Sequence, residues 1–127
     1  MRHKSLLLAM TGLAAVAMAA PAFAHHSFAM FDSTKNMTLD GTIKEFQWTN
    51  PHAWIQIVVK DAATGKDVEW SVEATSPNGL GRQGWKPSSL KPGDKASIAI
   101  HPLKDGTPGG SLVTASVNGK QVGGKPT

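Results

Sequence analysis

Alternation of apolar and polar residues dominates the chain after residue 36 and predicts strands rather than long helices. The clearest case is residues 52–60. There Ile55, Ile57 and Val59 share one parity and polar residues hold much of the other. Apolar side chains at every second position lie on one face of a strand. On this basis strands are predicted at 37–48, 52–60, 67–75, 94–102 and 111–117.

The first predicted strand changes parity along its length. Leu39 and Ile43 take one parity, whereas Phe46 takes the other. A regular strand keeps its apolar side chains on one face, so one extra residue must be accommodated between them. The sequence therefore predicts a bulge or bend in this strand, assisted by Gly41.

Residues 76–86 break the strand pattern and predict a short helix. Ser76 suits its N-cap and Pro77 its first helical position. Three strands, a short helix and two more strands are the element order of a five-stranded OB-type barrel. The predicted fold class is therefore all-β with one short helix. A small β-sandwich fits most of the strand pattern equally well and is the alternative, although it gives the helix no reason for its place.

Both ends of the chain are predicted to lie outside this barrel. Residues 1–24 combine a basic start, an uncharged apolar run and small residues before Ala24, which are the features of a secretory signal peptide. The apolar run is shorter than the roughly 18 residues of a membrane span. We therefore expect a periplasmic or secreted protein with no membrane span after cleavage. The expected division is signal peptide 1–24, N-terminal arm 25–36, OB-like barrel 37–122 and disordered tail 123–127.

Composition narrows the function further. A length of 127 residues is that of one domain, and the lack of Cys excludes disulfides, thiolate zinc sites and cysteine nucleophiles. The net charge of +4 falls by two when Arg2 and Lys4 leave with the signal peptide, and no basic cluster indicates a nucleic-acid partner. The chain carries no nucleophile-elbow motif. Glu69 and Glu73 alternate on one strand face and are expected to be solvated, so no enzymatic activity is predicted.

Histidines are the candidate metal ligands. Cleavage after Ala24 would give His25 a free α-amine that chelates a metal together with its own imidazole, a nitrogen-rich set suited to copper or zinc. His52 and His101 fall at the two loops that flank one surface of an OB-type barrel. The leading hypothesis is a copper site, with zinc second, and no other cofactor. The alternative is that each imidazole only hydrogen-bonds to nearby backbone. The predicted metal ligands are His25, His26, His52 and His101.

Trp48 and Trp54 define a second hypothesis. Trp54 shares a predicted strand face with His52, and Trp48 precedes the same turn. An exposed aromatic pair there would stack on a glycan or another flat small molecule, or contact an envelope protein. The alternative is that both rings pack under Phe28 and Phe31 of the arm.

The chain also resembles a family of short exported bacterial proteins known as domain of unknown function family 6152. The resemblance covers nearly all of the chain after residue 24 and implies an exported small β domain, with no established activity. It does not decide whether a metal binds. The segments that carry it are His25-His26-Ser27-Phe28, Phe31-Asp32, Gly41-Thr42, Trp48-Thr49-Asn50-Pro51-His52, Trp70-Ser71-Val72-Glu73, 80–85, 90–94 and 101–106.

Overall fold

A computed structural model of the protein describes residues 28–124, and strands make up most of that range. All five predicted strands are present, and a sixth that the sequence pattern did not predict follows the Asn118-Gly119 turn. The elements are a 3₁₀ turn (Phe28–Met30), β1 (Met37–Gln47), β2 (Trp54–Lys60), β3 (Asp67–Glu73), α1 (Pro77–Arg82), β4 (Lys95–Pro102), β5 (Gly109–Val117) and β6 (Lys120–Val122).

The strands close into a barrel. Their order is β3-β2-β1-β4-β5-β6, and a parallel pairing between β3 and β5 joins the two sides of the sheet. That pairing aligns Ser71 with Gly109 and Glu73 with Ser111. β6 pairs with β5 alone and lies outside the ring. The five-stranded OB-type barrel is therefore confirmed, with α1 between β3 and β4, and the β-sandwich alternative is wrong.

β1 serves two neighbours because it bends. Its first half pairs with β4 and its second half with β2, and its register against β2 shifts between Ile43 and Glu45. This is the bulge that the parity change predicted. The backbone comes so close at the bend that a Cβ on Gly41 would collide with the carbonyl oxygen of Val58. Only glycine fits there without moving β2.

The core is apolar, and α1 closes one end of it. Leu80 is 1% exposed and Trp85 5% exposed. The Ser76 hydroxyl accepts a hydrogen bond from the Gly79 amide at 3.1 Å, and Pro77 occupies the first turn, as predicted. α1 is shorter than the predicted span because Gly84, with φ +88°, ends it. The fully buried side chains are Leu39, Ile43, Ile55, Ile57, Leu80, Leu90, Ile98, Ile100 and Val72.

The described part of the arm is docked on the barrel. Phe31 is 8% exposed and forms an antiparallel bridge with Leu103. The Asp32 amide donates to the Pro102 carbonyl at 2.8 Å, and the Lys104 amide donates to the Met30 carbonyl at 3.0 Å. These bonds tie residues 30–32 to the end of β4 and to the loop 103–108 that follows it. Within residues 28–124, no helix is long and apolar enough to cross a membrane.

Candidate functional site

One row of outward side chains crosses all five barrel strands. The ladder pairs Gln47 with Trp54, Trp54 with Glu73, Glu73 with Ser111 and Ser111 with His101. Directly paired residues project to the same side of a sheet. The neighbouring row of paired positions, which includes fully buried Ile55 and Val72, faces the core. The first row therefore lies on the outer surface of the barrel.

Glu73 is buried although it belongs to this outer row. It is 9% exposed and is the one charged residue among residues 28–124 that is buried. Its Oε1 atom lies 3.7 Å from Nδ1 of His52. The expectation that Glu69 and Glu73 are both solvated is correct for Glu69 and wrong for Glu73. Strand parity gave the direction of the Glu73 side chain but not its burial.

His52 is held in a fixed orientation beside this carboxylate. It lies in the loop 48–53 between β1 and β2, where the Thr49 hydroxyl donates to the His52 carbonyl at 3.1 Å. Nδ1 of His52 lies 3.0 Å from the carbonyl oxygen of Ala74. Because a carbonyl only accepts, Nδ1 carries the proton and Nε2 of the neutral ring is an acceptor. The imidazole is 41% exposed, so it is open to a ligand.

A chain of side-chain hydrogen bonds runs across the same surface. The Ser71 hydroxyl donates to Oε1 of Gln56 at 2.5 Å, and Nε2 of Gln56 donates to Oε1 of Gln47 at 3.3 Å. These residues and the Trp54 row share one side of the sheet. We call this surface the Trp54 face, defined by Gln47, His52, Trp54, Gln56, Ser71 and Glu73.

The two tryptophans of the aromatic hypothesis lie in different surroundings. Trp48 is partly buried against the core and meets the ring of Phe46 edge-on, with ring centroids 5.6 Å apart. Trp54 is half-buried on the outer row. Within residues 28–124 the ring contacts are those of Phe46 with Trp48 and Trp85, so the ring of Phe31 stacks on neither Trp48 nor Trp54, and the side chain of Phe28 lies outside the described residues. Trp54 is therefore the aromatic residue available to a ligand on this face.

The structure describes two of the four predicted metal ligands, His52 and His101. His52 follows the carboxyl end of β1, whereas Nδ1 of His101 lies 2.9 Å from the carbonyl of Lys35, just before the amino end of β1. Within residues 28–124, no group of three or more His, Cys, Asp or Glu side chains is arranged to hold a metal. His25 and His26 lie outside the described residues. The four-histidine site remains a prediction.

A separate groove lies over the bend of β1. It has a volume of about 870 Å³ and is lined by charged residues that pair with nearby groups. The hydrogen bond and charge of Glu69 raise the pKa of Lys44 above its ordinary value. We call this cavity the β1–β4 groove. Its charged contacts are Lys44 with Glu69 at 2.7 Å, Lys60 with Asp67 at 3.7 Å, Lys95 with the Thr42 hydroxyl at 2.7 Å, and Asp40 with the Ser97 hydroxyl.

The fold and this surface define a small OB-type barrel protein. A family of unknown function, DUF6152, matches residues 13–113, which is most of the chain. The chain therefore belongs to that family, as its sequence segments had indicated. No curated protein matches it.

Two crystal structures of Rim1, a mitochondrial single-stranded DNA-binding protein from S. cerevisiae, are similar to this chain in fold. One is 10% identical with a TM-score of 0.50, covering 68% of this chain and 95% of that chain. The other, labelled with selenomethionine, is 11% identical with the same TM-score, covering 72% and 97%. At this level of identity the likeness supports the barrel and carries no ligand with it.

Proposed function

We propose that this protein is an exported, non-enzymatic binding module that holds its ligand on the Trp54 face. In OB-type barrels the outer side of the second and third strands, flanked by the loops 1–2 and 4–5, is the usual ligand surface. Here that surface combines Trp54, His52 and Glu73 within one stretch of the ladder. The partner is then a small molecule, a glycan or a group on an envelope protein that this face recognises.

Burial of Glu73 is the observation that carries the proposal. Burying a carboxylate costs free energy unless hydrogen bonds or an opposite charge offset it. Among residues 28–124 the charged-group contact of Glu73 is a 3.7 Å approach to His52, whose Nδ1 proton is already donated to the Ala74 carbonyl. The fold gains little from that arrangement. Within residues 28–124 no fully buried side-chain oxygen lacks a hydrogen-bond partner, so the carboxylate oxygens of Glu73 still reach the surface, where a ligand can contact them.

Ligand-observed NMR with a library of small polar compounds tests this proposal. The mature protein is screened beside Trp54→Ala and a control, Val113→Ala, which changes an exposed side chain on β5. We expect compounds that bind the wild type and the control and lose binding in Trp54→Ala. Compounds that bind Trp54→Ala as well as the wild type, or the absence of any binding compound, would contradict the proposal.

Transition-metal binding is the second candidate, favoured by how the two described histidines are oriented. Nδ1 of each donates to a backbone carbonyl, Ala74 for His52 and Lys35 for His101. Metal-binding histidines use this arrangement, which fixes the ring and leaves Nε2 for the metal. The remaining ligands would come from the processed amino end, His25 and His26. Copper is the first choice and zinc the second, because the donors are nitrogens.

Copper titration of correctly processed protein tests the metal hypothesis against an identical chain with one extra residue before His25. We expect the extension to weaken copper binding strongly, because it removes the α-amine from the chelate. His101→Gln should weaken binding more than His52→Gln, since the arm is tied to the backbone next to His101. Equal affinity in the processed and extended chains would contradict the role of the amino end.

Export is part of the proposal because both hypotheses place the protein outside the cytoplasm. It is supported by the composition of residues 1–24, which are outside the described part of the chain. The mass of the protein recovered from the periplasm is the direct test. Loss of residues 1–24 supports export with a free His25, whereas a full-length mass in the cytoplasm contradicts it.

A further inference from the structure

We infer that the ligand of the Trp54 face is a saccharide with free hydroxyl groups and no phosphate or sulfate, an inference that rests on the proposed function. The donors and acceptors that the face presents, its aromatic ring and its charge all favour such a ligand.

One end of the Trp54 face presents acceptors. The ionised carboxylate of Glu73 can only accept hydrogen bonds. In the neutral ring of His52, Nε2 also accepts, because Nδ1 holds the ring proton in its bond to the Ala74 carbonyl. Within residues 28–124 no Lys or Arg pairs with Glu73. A group that binds here must therefore donate, as a hydroxyl or an ammonium does.

The opposite end of the face, at Gln47, presents hydrogen-bond donors. The hydrogen bonds run in one direction, from Ser71 to Gln56 and from Gln56 to Gln47. Oε1 of Gln47 is the last acceptor of this series, no hydrogen bond within residues 28–124 uses its amide N–H groups, and the Ser71 hydroxyl can still accept one. A ligand that spans both ends must donate at one and accept at the other. Hydroxyl groups do both, whereas an ammonium only donates and a phosphate mainly accepts.

Trp54 supplies the flat surface between these polar groups. It pairs with Gln47 on one side and Glu73 on the other, so its ring lies in the same row as both. An indole offers an apolar face with a polar N–H at its edge, which suits a ring whose faces are apolar and whose rim is hydroxylated. Pyranose sugars have that form.

The charge of the surrounding strands opposes phosphorylated ligands. The outward positions of β3 are acidic at Asp67, Glu69 and Glu73. Lys60 and Lys44 already pair with Asp67 and Glu69. Affinity for a nucleic-acid backbone comes from unpaired Lys and Arg, and successive bases need several stacking rings. This face offers neither, so single-stranded DNA is not the expected ligand.

Isothermal titration of the mature protein tests the inference with four probes: cellohexaose, chitohexaose, spermidine and a thymidine dodecamer. We expect at least one hexasaccharide to bind and the other two probes not to bind. Glu73→Gln should weaken saccharide binding about tenfold, because a hydrogen bond to a charged acceptor is lost. Glu69→Gln, two residues along the same outer side of β3 and exposed, is the matched control and should bind as the wild type does.

The outcomes separate this inference from the proposed function. If neither hexasaccharide binds at millimolar concentration, or if Glu73→Gln and Glu69→Gln bind alike, the saccharide inference is wrong. Binding of spermidine or the dodecamer that depends on Trp54 would also overturn it while leaving the Trp54 face as the ligand surface. The proposed function itself fails if, in the NMR screen, the compounds that bind the wild type bind Trp54→Ala equally well, or if no compound binds.

Discussion

The Trp54 face and the β1–β4 groove are two polar regions on the same outer surface, and they differ in how their polar groups are satisfied. In the groove Lys44, Lys60 and Lys95 contact a carboxylate or a hydroxyl. On the Trp54 face Glu73 is buried, no Lys or Arg of residues 28–124 pairs with it, and its carboxylate lies 3.7 Å from the imidazole of His52. The groove has a volume of about 870 Å³, but its charges already have partners. Accessible hydrogen-bonding groups without a partner in the fold, rather than volume, therefore mark the candidate site.

The largest expected effect comes from the barrel that supports both regions. Leu80 of α1 is 1% exposed and packs into the core. Leu80→Ala should therefore lower the free energy of unfolding by about 2–5 kcal/mol, because apolar burial is lost and a cavity is left. Urea denaturation measures it. A loss below about 1 kcal/mol would mean that α1 is not part of the core on which both surfaces depend.

Glu73→Gln and Asp40→Asn compare the two regions directly. Glu73→Gln removes a buried charge, so we expect unfolding free energy to stay within about 1 kcal/mol of the wild type, or to rise, while ligand affinity falls. Asp40→Asn should leave affinity unchanged, because Asp40 bonds Ser97 in the groove. Denaturation and calorimetric titration of both variants provide the measurements. Loss of affinity in Asp40→Asn would move the site to the groove.

The variant Lys44→Gln tests whether the charged contacts of the groove stabilise the fold only weakly. The hydrogen bond that Lys44 donates to Glu69, together with the charge of that carboxylate, raises the pKa of Lys44. A raised pKa means that this contact stabilises the fold at neutral pH and is lost only as pH rises past the ordinary lysine range, about 10.4. The pair is exposed, so Lys44→Gln should cause a small fall in Tm that disappears at high salt. A large fall that persists in high salt would contradict this description.

The smallest expected effect is at acid pH, in the turns that hold the arm. Hydrogen bonds from the Thr34 hydroxyl lower the pKa of Asp32, and those from Thr107 lower the pKa of Asp105. A lowered pKa stabilises the fold above the ordinary Asp value of about 3.9, and this contribution is lost as pH falls through the lowered value.

The double variant Asp32→Asn/Asp105→Asn should therefore show a shallower fall in Tm below about pH 4 than the wild type shows. Thermal melts across that range measure the slope. Identical slopes would mean that these two carboxylates do not couple to folding, and ligand binding by the Trp54 face at neutral pH should be the same in both proteins.

Much of the fold could be predicted because it follows from local pattern. Alternation marks the strands, the parity change at Phe46 marks the bulge, and Ser76-Pro77 marks the start of α1. β6 was missed because three residues without strong alternation give no strand signal, and their pairing with β5 depends on the Asn118-Gly119 turn.

The site could be predicted only in part, because its assembly is non-local. Parity placed Trp54 outward, and the loop position of His52 was expected from the element order. Burial of Glu73 depends on the loop 48–53 and the neighbouring strand, which no local pattern records. The placement of His52 and His101 near different ends of β1 depends on how that long strand wraps the barrel.

An amide chemical-shift map of the isotope-labelled mature protein, titrated with its tightest-binding compound, would locate the ligand directly. We expect the largest shifts at residues 52–56 and 71–73, around Trp54 and Glu73. Shifts centred instead on residues 40–44 and 95–97 would place the ligand in the β1–β4 groove and contradict this expectation.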